Sequence, residues 1–124
     1  MILKNYFSTL KRIIHDFKFG FLTQLPGKTG NKLRNKYYIR KGIILERNVK
    51  LYGGVVINGS GYCMMQERST LYHRTVISLG NNGRFIMGKN SHLGANSYIL
   101  VGNGEVEIGD GVAIGPNTII IAHS

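Results

Sequence analysis

Residues 86–99 read IMGKNSHLGANSYI and residues 44–57 read ILERNVKLYGGVVI. Laid side by side without gaps, they match large apolar side chains at three sites: Leu45, Leu51 and Ile57 against Met87, Leu93 and Ile99. Two further blocks repeat the pattern, one with Met65, Leu71 and Ile77, the other with Ile108, Ile114 and Ile120. The block starts lie 20, 22 and 21 residues apart, so two six-residue steps are fixed and a third varies in length. Four places after each anchor of the fixed steps stand Val49, Val55, Ser69, Thr75, Ser91, Ser97, Val112 and Thr118, all small or β-branched. A period of six fits neither a helix of 3.6 residues per turn nor a two-residue alternation. It predicts an all-β solenoid of about four coils, each a prism with three short strands. The anchor fills the interior, the small residue sits beside a corner, and Gly or Asn turns the chain where positive φ is needed. Each coil buries its face only by stacking on its neighbours. The Gly- and Asn-rich stretches 58–61, 80–83 and 102–104 then read as small loops along one edge. An ordinary β-sandwich, with turns every 8–12 residues, would leave the two linked positions unmatched.

Working outward, the charge separates from the repeat. The 124 residues carry a net +10, with 16 Lys+Arg against 6 Asp+Glu. Residues 51–124 hold four basic residues (Arg68, Arg74, Arg84, Lys89) and four acidic ones (Glu67, Glu105, Glu107, Asp110), so the whole excess lies in residues 1–50. The chain divides into a basic arm over 1–41 and a β-solenoid domain over 42–124. Charge confined to an arm speaks of the arm's partners. It does not make a nucleic-acid binder, because the base-stacking aromatics of a basic sheet are missing.

Within the arm, Leu3, Tyr6, Phe7, Leu10, Ile13, Ile14 and Phe17 fall on one face of an α-helix, with Lys4, Ser8, Lys11, Arg12, His15 and Lys18 off that stripe. Phe19, Phe21 and Leu22 extend the apolar surface, and Gly20 and then Pro26-Gly27 end the element. Two settings suit such a stripe. It packs on the rest of the protein or a sister subunit, or it lies in a membrane interface. Residues 28–41, with Lys28, Lys32, Arg34, Lys36, Arg40 and Lys41, read as a basic connector facing anionic head groups, phosphorylated carriers or solvent. No apolar run approaches the roughly 20 residues of a spanning helix. Lys11 and Arg12 interrupt what would be a signal-peptide core. The expected location is the cytoplasm, with peripheral contact at the inner face of the membrane through residues 1–41.

The sequence Ile108-Gly109-Asp110-Gly111-Val112-Ala113-Ile114-Gly115-Pro116-Asn117-Thr118 resembles the hexapeptide repeat of acyltransferases built on a left-handed parallel β-helix. The resemblance covers about 45–124 and is clearest from 86 onward. Leu25-Pro26-Gly27-Lys28 and Leu33-Arg34-Asn35-Lys36-Tyr37-Tyr38 resemble the lead-in of acetyltransferases that act on surface polysaccharides. The resemblance implies a left-handed coil, a homotrimer, and transfer of an acetyl group from acetyl-CoA to a hydroxyl of a sugar or glycan precursor. It implies a catalytic histidine after the Ile-Gly-Pro-Asn turn, which here is His123, and no metal. Members of that family continue for several more coils beyond this histidine, so the resemblance also implies an interrupted solenoid. The rival reading is a non-catalytic β-helix scaffold or assembly module anchored by the helix.

A histidine of pKa near 6.5 suits the chemistry, because a sugar hydroxyl must lose its proton to attack a thioester. Cys63 is expected to be a buried structural thiol, since the mechanism needs no covalent intermediate. His15, His73, His92 and His123 are too far apart in sequence for short metal-ligand spacing.

Overall fold

The computed structural model describes residues 2–122, with side chains from residue 5 onward. Two helices, α1 (Ile2–Gln24) and α2 (Gly27–Arg40), lead into the repeat. The strands then follow in threes: β1 (Ile44–Leu45), β2 (Lys50–Leu51) and β3 (Val56–Gly59); β4 (Tyr62–Met65), β5 (Thr70–Leu71) and β6 (Val76–Leu79); β7 (Arg84–Met87), β8 (His92–Leu93) and β9 (Tyr98–Gly102); β10 (Glu105–Ile108), β11 (Ala113–Ile114) and β12 (Ile119–Ile121). Every third strand pairs in parallel, giving three sheets ordered β1-β4-β7-β10, β2-β5-β8-β11 and β3-β6-β9-β12. This is the parallel β-solenoid of about four coils that the six-residue period predicts.

The register is the one the anchors require. Leu45, Met65, Met87 and Ile108 pair in one ladder. Leu51, Leu71, Leu93 and Ile114 pair in the second, and Ile57, Ile77, Ile99 and Ile120 in the third. In the two middle coils all six anchors are fully buried. Stacking identical positions one coil apart lets each anchor bury against the anchors above and below, which a sandwich cannot do. The variable step adds a further inward column of Cys63, Phe85 and Val106, two residues before the anchors.

The corners are built from two adjacent residues. Three places after each anchor of the fixed steps the backbone is left-handed: Asn48, Gly54, Arg68, Arg74, Asn90, Asn96, Gly111 and Asn117. The small residue that follows turns inward, where Ser69, Thr75, Ser91 and Ser97 are buried. Buried hydroxyls need partners, and these donate to carbonyls at the corners: Ser69 Oγ to Gln66 O at 2.8 Å and Thr75 Oγ1 to Gly94 O at 3.3 Å. The expectation that Gly or Asn supplies the left-handed residue holds at six of these corners and fails at Arg68 and Arg74, both at φ 61°. A non-Gly residue there costs roughly 1–2 kcal/mol, which the ladders on either side offset.

The arm departs from its reading. Residues expected to form a basic connector are the helix α2. Gly30, Arg34 and Tyr38 lie four apart and are its buried face. Tyr38 donates its hydroxyl to Val55 O at 3.2 Å and accepts from Ile57 N–H at 3.1 Å. Burial, the larger influence, pushes that phenol up to about 12 against the opposing hydrogen bond from Ile57. Gly20 does not end α1, which runs to Gln24 just before Pro26. Among the described residues the apolar stripe of α1 finds no cover: Tyr6, Phe7, Leu10, Ile13, Ile14, Phe17 and Phe21 are all exposed, Phe17 to 78%. Phe19 faces the other way, its ring 5.3 Å from that of Tyr37.

Candidate functional site

His123 lies outside the described residues; the chain up to Ala122 belongs to the fourth coil. Pro116 and the left-handed Asn117 turn the fourth coil, and Asn117 N–H donates to Ala95 O at 2.9 Å. Thr118 Oγ1 closes the turn on Gly115 O at 2.8 Å. Strand β12 then pairs Ile119, Ile120 and Ile121 with Tyr98, Ile99 and Leu100. Ala122 N–H donates to Leu100 O at 2.9 Å, so the backbone is held in the ladder up to the residue before His123.

Strand alternation sends Ile120 inward and Ile119 and Ile121 outward. Ile119 is 68% and Ile121 55% exposed, and Tyr98 on the neighbouring strand is exposed as well. An apolar outer face of a β-sheet is where a partner surface or the apolar arm of a ligand would be seated.

The other candidates sit elsewhere. Cys63 is buried at 2% exposure inside the second coil, and burial pushes its thiol up to about 12. A thiol held protonated at neutral pH is a poor nucleophile, which agrees with the structural role read for it. His73 and His92 belong to an exterior row of rings. Tyr52 stacks on Tyr72 at 5.2 Å, His73 lies 5.1 Å from Tyr52, and His92 meets Tyr72 edge-on at 5.7 Å. The row joins three successive coils by ring contacts, each worth about 0.5–1.5 kcal/mol.

Sequence reading took residues 28–41 as a basic connector and missed that they are a helix, which sets their lysines in one row. Lys28, Lys32 and Lys36 are stacked four residues apart, and the helix contains no Asp or Glu. Like charges at this spacing destabilise a helix by roughly 0.2–0.5 kcal/mol per pair, and nothing on α2 compensates. The signal was present as a four-residue lysine period, hidden by the absence of a matching apolar face.

The chain matches no known protein family, no characterised protein and no solved structure.

Proposed function

We propose that this chain belongs to a CoA-dependent O-acetyltransferase of left-handed β-helix fold acting on a sugar or polysaccharide precursor, with His123 as general base. One observation carries the reading. The fourth coil brings an Ile-Gly-Pro-Asn turn and a paired strand up to Ala122, the residue before His123 in sequence, along an exposed apolar sheet face.

In this reading the imidazole takes the proton of the acceptor hydroxyl as its oxygen attacks the thioester carbonyl of acetyl-CoA. The tetrahedral adduct collapses, the carbon–sulfur bond breaks, and the imidazolium returns the proton to the leaving thiolate. The acetyl group passes directly from sulfur to oxygen, and Cys63 takes no part. A homotrimer would set the apolar outer faces of neighbouring solenoids around both substrates, and positioning would supply much of the acceleration. Acetyl-CoA turnover by the gene product, followed with a panel of sugar acceptors, should fall by about 10²–10⁴ on His123→Ala. Equal turnover in the two proteins would remove the role for His123.

The arm belongs to the same proposal. Its stripe occupies an arc of about 120° on the helix, and Lys11 and Lys18 border that arc. A basic amphipathic helix with Phe, Tyr and Ile on one side suits the interface of an anionic membrane, which would keep the enzyme near lipid-linked precursors at the cytoplasmic face. In sedimentation with phosphatidylglycerol vesicles, Ile14→Glu with Phe17→Glu is expected to weaken binding by more than about tenfold. Unchanged binding of that double variant would refute a lipid-facing stripe.

A further inference from the structure

Between α2 and the first corner of the solenoid runs a groove of about 920 Å³. One wall is the lysine row Lys28, Lys32 and Lys36, and the opposite wall carries Lys50 and Arg68. Thus α2, β2 and the corner before β5 bring five cationic residues to one lining, which holds no carboxylate. Glu67 reaches Arg68 at 3.2 Å from outside the lining. Lys28, Lys32, Lys36 and Lys50 form no ion pair among the described residues. The wall is not free to swing away. Asn35 Nδ2 donates to Val49 O at 2.8 Å, and Arg34 and Tyr38 on the opposite side of α2 are buried against the first coil. A rigid groove of ligand size with four lysines free of ion pairs among the described residues, and Arg68 beside them, presents a converging positive potential.

We propose that this groove binds the phosphoryl group of a phosphorylated small molecule. Lysine ammoniums are point charges suited to phosphate oxygens from several directions, and the row on α2 spaces three of them along the groove. The volume exceeds that of a single phosphate, so an ester or a diphosphate with an organic moiety fits better than the free ion. The phosphate could be carried by a soluble metabolite or by a lipid head group. The proposal does not depend on acetyl transfer.

The test is binding without turnover. Calorimetric titration of the whole chain at low salt would use inorganic pyrophosphate and a hexose 1-phosphate, with sedimentation on phosphatidylglycerol vesicles as the lipid arm. All groove substitutions are of exposed lysines, and circular dichroism would confirm that the fold is retained. Lys32→Gln with Lys36→Gln should weaken the bound phosphate by at least about tenfold. Lys11→Gln with Lys18→Gln, the same change in net charge away from the groove, should leave the soluble ligands unaffected. Loss confined to the hexose 1-phosphate and pyrophosphate identifies a soluble ligand, and loss confined to vesicles identifies a head group. Equal losses of the soluble ligands in the two double variants, or no saturable binding in any arm, would overturn the proposal. Acetyl transfer can fail with groove binding intact, and the reverse, so the two readings are tested separately.

Discussion

Arg34→Met should lower the stability of the chain by about 3–5 kcal/mol in urea unfolding, and Arg34→Lys should recover less than half of the loss. Arg34 is 1% exposed, and among the described residues no carboxylate pairs with it. Instead its donors reach carbonyl and amide oxygens from three parts of the chain. Nε donates to Leu51 O at 2.7 Å, in the first coil. Nη1 donates to Leu22 O at 3.2 Å, Thr23 O at 3.4 Å and Leu25 O at 2.5 Å, at and just beyond the end of α1. Nη2 donates to Asn31 Oδ1 at 2.8 Å. The last carbonyls of a helix have no intrahelical donors and carry the negative end of its dipole, so a guanidinium there satisfies several acceptors at once. Burial lowers the pKa of Arg34, and Tyr38 opposes that shift. A methionine fills similar volume but takes the side-chain donors away; Thr23 O keeps the Gly54 N–H, and each carbonyl left without a partner costs about 1–3 kcal/mol. A lysine is a point donor and lacks the planar fork. The clamp also fixes where α1 leaves the solenoid, and hence where its exposed stripe lies. A loss under about 1 kcal/mol for Arg34→Met would mean that these contacts do not hold the arm.

The same residue shows where sequence reading stops. The solenoid was legible because its signal is redundant: four blocks repeat an apolar anchor and a small residue at linked spacings, and the pairing ladders join those anchors in the order in which they align. The helix α2 was not legible, because its buried face is Gly30, Arg34 and Tyr38. Periodicity detects helices by apolar side chains, and this face is held by a buried cation, a glycine and one phenol. The stripe of α1 was legible as a helix, but whether it is covered depends on contacts that no local pattern encodes. Left-handed corners were read in type but not in place. They fall three residues after the anchor, where two are arginines, while the glycine that follows the anchor directly has a different purpose. As for the candidate site, the turn and the strand that approach His123 follow from the hexapeptide pattern. The lysine groove does not, because it needs α2 to fold and to lie against the first corner.

That second purpose of glycine gives the other large expected effect: in this 124-residue chain Gly94→Ala should be far more damaging than Gly115→Ala. Both follow an anchor directly, Leu93 in the third coil and Ile114 in the fourth, and neither has positive φ. A β-carbon on Gly94 would meet Pro116 N, Gly115 C at 2.6 Å and Pro116 Cα at 2.7 Å, all backbone atoms of the coil stacked on it. The turn is flanked by β11 and β12, both paired with the third coil, so it cannot move aside cheaply and the fourth coil must lift, at a cost of about 1–3 kcal/mol or more. Gly115 has nothing within 4 Å of the equivalent position. Alanine there should be neutral or stabilise by about 0.4–1 kcal/mol, through the lower freedom of the unfolded chain. Thermal melting of the two variants beside the parent chain measures the difference directly, and equal Tm values would mean that the third and fourth coils are not stacked in this register. The atoms that Gly94 admits are those of the Pro116–Asn117 turn, from which β12 sets out toward His123. The same substitution should therefore reduce the proposed acetyl transfer at temperatures where the variant is still folded, because it displaces the turn that precedes the proposed base in sequence.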